Sequence, residues 1–327
     1  MSSASNTFRL WWKMPGSGPD EIWTLETDDK GETEFHFSPF IPSQGAPHLR
    51  IRGHKRRASS PQKGALNLQK SPTKTGVMQA NHVEAVDAAL AAIDRGELEK
   101  VVLSRSEFWT TSLGPEAVFE SKCRMYPDAM VYLLAHPEAG VWLGASPELL
   151  LRRSGDQFET VSLAGTKSDV HAAWTEKEYR EQEMVTDFIT ARLEAAGAMN
   201  VDQSSVQDRT YGSIKHLESQ ILFSSKADES AWLQELHPTP AVGGTPRGSA
   251  LKFIADHERE EREYYTGFIG WSEAETSSFY VNLRCMACFS DGFRLFAGGG
   301  IVSGSDAVEE WEETRAKIET IRTTLNR

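Results

Sequence analysis

Two Glu-x-x-Glu pairs carry the strongest chemical signal in the chain. Glu178 and Glu181 lie in EKEYREQEMVTDFI, and Glu310 and Glu313 in EEWEETRAKIETI. On a helix, a spacing of three puts both carboxylates of a pair on one face. Glu181 shares its face with Met184, Val185 and Phe188. A carboxylate on an apolar face must be neutralised, paired or metal-bound. Glu313 borders the stripe Trp311, Thr314, Ile318 and Ile321. Two carboxylates from separate helices, with water and ligand oxygens completing an octahedron, suit Mg2+. Taken singly, each helix also reads as a solvated face, with Glu313 and Lys317 an ordinary i,i+4 pair.

Other residues add acid–base and anion-handling chemistry. Lys100 heads the apolar run KVVLSRSEFWT, where it either marks a strand end or works as a partly buried base in its neutral form. Glu148 in GASPELLL follows Pro147, which cannot donate to a sheet ladder, so it sits at a strand entry or bulge. A carboxyl in so apolar a setting keeps its proton and can serve as a general acid; the plainer reading is a turn glutamate. Gly298, Gly299 and Gly300 follow the strand FRLFA, and either form a tight turn or let backbone N–H groups approach a carboxylate. Asp306 with Glu309 marks the start of the last helix. Arg284 lies inside the strand YVNLRCMAC and wants a carboxylate partner. His216 in SIKHLES reads more readily as a satisfied surface histidine than as a site residue. Cys285 and Cys288 resemble half a zinc site, but on a strand they point to opposite faces and no second pair matches them.

The elements that must position these residues are mixed. Hydrophobic residues make up 39% of the 327 and charged residues 25%, which suits a globular chain with a sizeable core. A net charge of −12 disfavours nucleic acid as a partner. The start, MSSASNTFRLWWKMPG, does not read as a secretory leader, and no run of apolar residues is long enough to span a membrane. Three cysteines fit a reducing cytoplasm. Residues 7–40 alternate like short antiparallel strands. Residues 41–76 read as a mobile, solvated basic loop, since Phe35 to His82 holds eight Lys/Arg and no acidic residue. Helical patterns run from Gln79 to Arg95, from Thr175 to Ala196 and from Asp306 to about Leu325; strand patterns cover 100–110, about 130–154, 157–166, 279–290 and 293–302. Strands in runs predict an α+β fold with a large, mainly antiparallel sheet.

Taken in order, the segments KVVLSR, GASPELLL, VSLAGTK, KEYREQEMV, KHLESQI, LHPTPAVGGTPR, YYTGFIGW, YVNLRCM and GGGIVSGSDAVEEWEETRAK resemble the chorismate-binding family of isochorismate, salicylate, anthranilate and aminodeoxychorismate synthases. The resemblance runs from about Asn81 to Leu325. It implies a single α+β domain over 1–327, with a β-sandwich-like core ringed by helices and a catalytic region over 78–327. It implies that Lys100 activates water for attack at C2 of chorismate and that Glu148 protonates the departing C4 hydroxyl. Glu181 and Glu313 would bind Mg2+, supported by Glu178 and Glu310. Gly165, His216, Arg284, Gly298 and Lys317 would contact substrate, with Arg284 and Gly298 near the pyruvyl carboxylate. Lysine at 100, where the ammonia-using synthases carry glutamine, selects water; no glutamine amidotransferase subunit is then expected. Ala164 stands where many aminodeoxychorismate synthases carry a lysine. The resemblance therefore points to an isochorismate synthase serving menaquinone or siderophore synthesis. The alternative is a salicylate synthase, which also eliminates pyruvate in the same pocket. The chain departs from the family pattern in a short stretch between Thr166 and Glu181 and in Gln182, where the family's Glu-His would place histidine.

Overall fold

The alternation in the first forty residues is expressed as β1 (Arg9–Lys13), β2 (Ile22–Thr27) and β3 (Thr33–Ser38). The computed structural model describes residues 8–323 apart from 44–45, 65, 168 and 212–213. The expectation about a leader falls largely on residues 1–7, and the end of the last helix near Leu325 on residues 324–327; both lie outside the described residues. No described helix is long and apolar enough to cross a membrane.

The basic tract is corrected by the structure. Residues 49–58 are not a loop but β4 (Leu49–Ala58), paired with β2 on one side and β3 on the other. Its cations have partners: Arg50 and Arg52 on Glu34, Lys55 on Glu273, Arg56 on Glu26, and Arg57 on Glu21. Every one of those acids lies outside the tract, on neighbouring strands and turns, so the tract read alone looks unpartnered. This also removes the free basic face that nucleic acid would need.

The remaining strands are β5 (Lys100–Thr110), β6 (Met130–His136), β7 (Gly140–Ser146), β8 (Leu149–Ser154), β9 (Gln157–Lys167), β10 (Met199–Gln203), β11 (Gln207–Tyr211), β12 (Ile214–Ser224), β13 (Gly244–Thr245), β14 (Phe268–Ser272), β15 (Thr276–Val281), β16 (Cys285–Phe289) and β17 (Gly292–Val302). All their pairings are antiparallel. The ladder runs from β10 and β11 through β12, β9, β8, β15, β14, β3, β4, β2, β1, β6, β7, β16, β17 and β5 to β13. The N-terminal strands thus sit mid-ladder and join its two halves, although every proposed site residue comes later in the chain.

Burial on both faces explains the continuous apolar runs. Along β6, Met130, Tyr132 and Leu134 enter an aromatic core with Trp12, Phe35, Phe37 and Trp142. The alternate residues Val131, Leu133 and Ala135 enter a second core under α2 (Pro115–Met125) and α6 (Ala307–Thr323). Cys285 and Cys288 fall into these two different cores, as period-two geometry requires, and both are free thiols. A third core packs α3 (Glu176–Ala195) and α4 (Glu229–Leu236) on β8, β9 and β12. A fourth packs α1 (Gln79–Asp94) and α5 (Arg247–His257) on β5 and β17. The α+β architecture expected from the strand runs is the one observed, with six helices among the described residues.

Candidate active site

Lys100 is the first residue of β5, held between Thr245 of β13 and Val302 of β17. Its side chain is buried, and Nζ donates to Glu181 Oε1 at 2.8 Å. Glu148 sits between β7 and β8, as Pro147 predicts; its carbonyl accepts from the N–H of Val281. Burial pushes its carboxyl up to about 8, against the opposing charge of Lys100 and with the help of Glu218. It is therefore a neutral acid at pH 7.

A β-bulge builds the next part. On β9 the register with β12 passes from Thr166–His216 to Ala164–Leu217, leaving Gly165 as the extra residue with φ +67°. Its carbonyl accepts from His216 Nδ1 at 3.1 Å. That contact puts the proton on Nδ1, so Nε2 carries the lone pair and accepts from Arg284 Nη2 at 3.3 Å. Burial and the Arg284 charge lower His216 to about 3, so the ring is neutral. The surface reading of His216 is thereby corrected: it is buried beside the cavity. Arg284 is corrected too. It stands not inside a strand but at the break between β15 and β16, with φ +48°. Asn282 ties that break to the turn at 264–267, its backbone N–H donating to Gly267 O and its Nδ2 to Tyr264 O. A left-handed arginine at such a point is strained, and such strain concentrates at binding sites.

The two glutamate helices meet the sheet at its glycines. Gly298, Gly299 and Gly300 lie within β17, paired with Ser104, Leu103 and Val102, and do not form a turn. A Cβ on Gly300 would stand 2.9 Å from Glu181 Oε1, and one on Gly299 3.1 Å from Glu310 Oε2. The missing side chains therefore make room for carboxylates arriving from α3 and α6. Asp306 caps α6 by accepting from the N–H groups of Val308 and Glu309. About three turns on, Lys317 Nζ donates to Glu313 Oε1 at 2.7 Å and to the carbonyl of Gly298 at 3.0 Å. Burial opposes the charge on Lys317, yet Glu313, Glu181 and Glu310 hold its pKa above the ordinary lysine value. Glu310 is buried and accepts from Ser305 Oγ at 2.6 Å. Glu178 closes the capping box of α3 with Thr175 and pairs with Lys167 at 2.8 Å. Against its partial burial, those contacts bring Glu178 down to about 2. Gln182, the departure noted in the sequence, is buried among the hydroxyls of Ser162, Thr186 and Ser219.

These groups surround one cavity of about 200 Å³. Glu148, Gly165, Glu178, Glu181, His216, Arg284, Gly298, Glu313 and Lys317 all reach its wall. Lys100 stands one layer behind, against Glu181, and Glu310 lies beneath Gly299. Sequence reasoning missed Tyr126 and Tyr265, which also line the cavity. Tyr265 lies in a quoted segment, YYTGFIGW, but no spacing rule singles it out; Tyr126 gave no signal.

The donor set fits a hard divalent cation. Among the described residues, no three acidic, histidine or cysteine side chains are gathered closely enough to hold a metal by themselves. Mg2+, however, keeps several waters and is commonly bound through one or two carboxylates plus ligand oxygens. Glu181 and Glu313 reach the cavity from separate helices, and Gly300 leaves open the space beside Glu181, so these two would be the carboxylates to hold it.

Fold and site together define an α+β protein with one small cavity, lined by acidic and basic side chains, between a sheet and two acidic helices. Comparison with known proteins gives the family: the one described as chorismate binding enzyme matches over residues 48–326. The chain belongs to that family. It is 34% identical over 268 residues to the isochorismate synthase MenF of Escherichia coli strain K12, covering 78% of this chain and 61% of that one. It is 32% identical to the isochorismate synthase EntC of the same organism, covering 74% and 66%. The chain thus spans somewhat less than two thirds of these relatives. The solved structure of the menaquinone-specific isochorismate synthase MenF from Escherichia coli superposes with a TM-score of 0.81 at 25% identity, covering 99% of this chain and 90% of that one.

Proposed function

We propose that the chain is a Mg2+-dependent isochorismate synthase, converting chorismate reversibly to isochorismate in the cytoplasm and without an amidotransferase subunit. The observation that carries this reading is a neutral carboxylic acid in the wall of one small cavity, with a buried lysine behind that wall against Glu181, in a chain whose relatives are named for that activity. Water adds at C2, the ring double bonds shift, and the C4 hydroxyl leaves as water. Lys100 takes a proton from the incoming water. Glu148, holding its proton at pH 7, gives it to the departing hydroxyl. In the reverse direction the two roles exchange. Mg2+, when bound by Glu181 and Glu313, supplies positive charge for the ring carboxylate. Arg284, oriented by His216, faces the second carboxylate. His216 is neutral and takes no part in proton transfer.

Incubation with chorismate and MgCl2, followed by chromatography, tests this. Isochorismate is expected. Salicylate with equimolar pyruvate would mean the elimination occurs as well, and an aminated product in high ammonium would reverse the choice of nucleophile. No product with chorismate would refute the activity.

A further inference from the structure

Lys122 is fully buried on α2, and among the described residues its Nζ meets no hydrogen-bond acceptor. Other buried lysines are provided for: Lys13 donates to the carbonyls of Met14 and Pro127, Lys100 to Glu181, and Lys215 to Asp208. An ammonium buried without a partner is costly, and the neighbours of Lys122 on its helix, Val118, Phe119 and Cys123, are ordinary core residues. Folding alone gives no reason for a charge here.

The site does give one. The Lys122 Nζ lies 5.3 Å from the ring centroid of Tyr126, and the Arg284 guanidinium carbon lies 5.8 Å from the same centroid. Tyr126 and Arg284 both line the cavity. One ring is therefore shared by two cations, Arg284 in the cavity wall and Lys122 hidden behind it. The other titratable groups that bear on Lys122 are Arg284 and the thiols of Cys285 and Cys288. Burial pushes both thiols up, so they stay neutral and do not balance the Lys122 charge. Burial, then the Arg284 charge, lowers Lys122 to about 8, so an anion arriving in the cavity would hold its proton in place.

We propose that Lys122 is a positioning residue: its buried ammonium, acting across Tyr126 beside Arg284, reserves that end of the cavity for a carboxylate and selects molecules with two anionic ends over those with one. The inference rests on reading the cavity as a dicarboxylate site.

The test is equilibrium binding of two stable probes, isophthalate and benzoate, to the full chain in MgCl2 by titration calorimetry. Wild type should prefer isophthalate. Lys122→Met should weaken isophthalate about tenfold, the size expected for one charge several Å away at an effective dielectric of about 20, and should leave benzoate within about twofold. Lys122→Gln should do the same. Both variants should fold, since replacing an unpaired buried charge by a neutral side chain is neutral or stabilising. Turnover adds a second readout: the KM for chorismate should rise by a similar factor while kcat changes far less. Equal losses for both probes, no loss for either, or a wild type without preference would overturn the proposal. A wild type that selects isophthalate but does not turn chorismate over would refute the proposed function and leave this inference standing.

Discussion

Lys100 and Glu181 are 81 residues apart in the chain and meet at 2.8 Å, one at the head of a buried strand and the other on the inner face of a helix. The contact joins the proposed base to a proposed metal carboxylate. It also explains why neither reads clearly alone: each is the other's hydrogen-bond partner.

Replacing Lys100 by alanine should lower turnover of chorismate about 10²–10⁴-fold, the usual worth of a general base. The loss should appear in both directions of the reaction, because the residue exchanges roles when isochorismate is the substrate. Steady-state rates with each substrate check this, and near wild-type rates in both would remove Lys100 from the mechanism.

Glu148→Gln should cost a similar factor in rate. In wild type the forward rate should fall as pH rises through about 8, where the acid loses its proton. Stability follows the same group. Its folded pKa is raised from 4.5, so its contribution is complete below that value and is lost as pH rises towards about 8. The glutamine variant should lack this decline. Its advantage over wild type in urea unfolding should grow between those two pH values and then level off.

Chelation should abolish activity and added Mg2+ restore it. Glu313→Gln should raise the Mg2+ concentration needed for half-maximal rate. Gly300→Ala should do so as well, because its Cβ would press on Glu181 Oε1 at 2.9 Å and Lys100 Cε at 3.1 Å. Full activity in excess chelator would rule out the metal.

His216 should contribute no ionisation to the rate profile between pH 5.5 and 7.5, roughly the range where free histidine titrates, because it stays neutral down to about 3. Its ring proton resonances should not shift across that range. His216→Ala should raise KM through a mispositioned Arg284. A resonance that titrates near the free value would contradict the Nδ1–H assignment.

Much of the local structure was legible in the residues. Glu176–Ala195 forms the helix expected between Thr175 and Ala196, and its capping box is present. Lys100 opens its strand, and Asp306 caps the last helix. The two cysteines diverge as a strand demands. The short helix α2 was missed, although Pro115 at its first turn with Glu116 beside it is a start signal. Helix caps and side-chain periodicity depend on neighbours within four residues, so a single chain segment contains all the information they need.

Only the tertiary structure placed Arg284 in a left-handed break, Gly298–Gly300 within a strand, His216 against a bulge, Leu49–Ala58 between two acidic strands, and Lys122 behind Tyr126. Each depends on which strand lies beside which and in what register. The partners come from positions 16 to 68 residues away in the examples of Arg50 with Glu34 and Arg284 with His216. Side-chain identity states what a residue could bond to. Sheet register decides what it meets, because moving a strand by one residue turns every side chain to the other face.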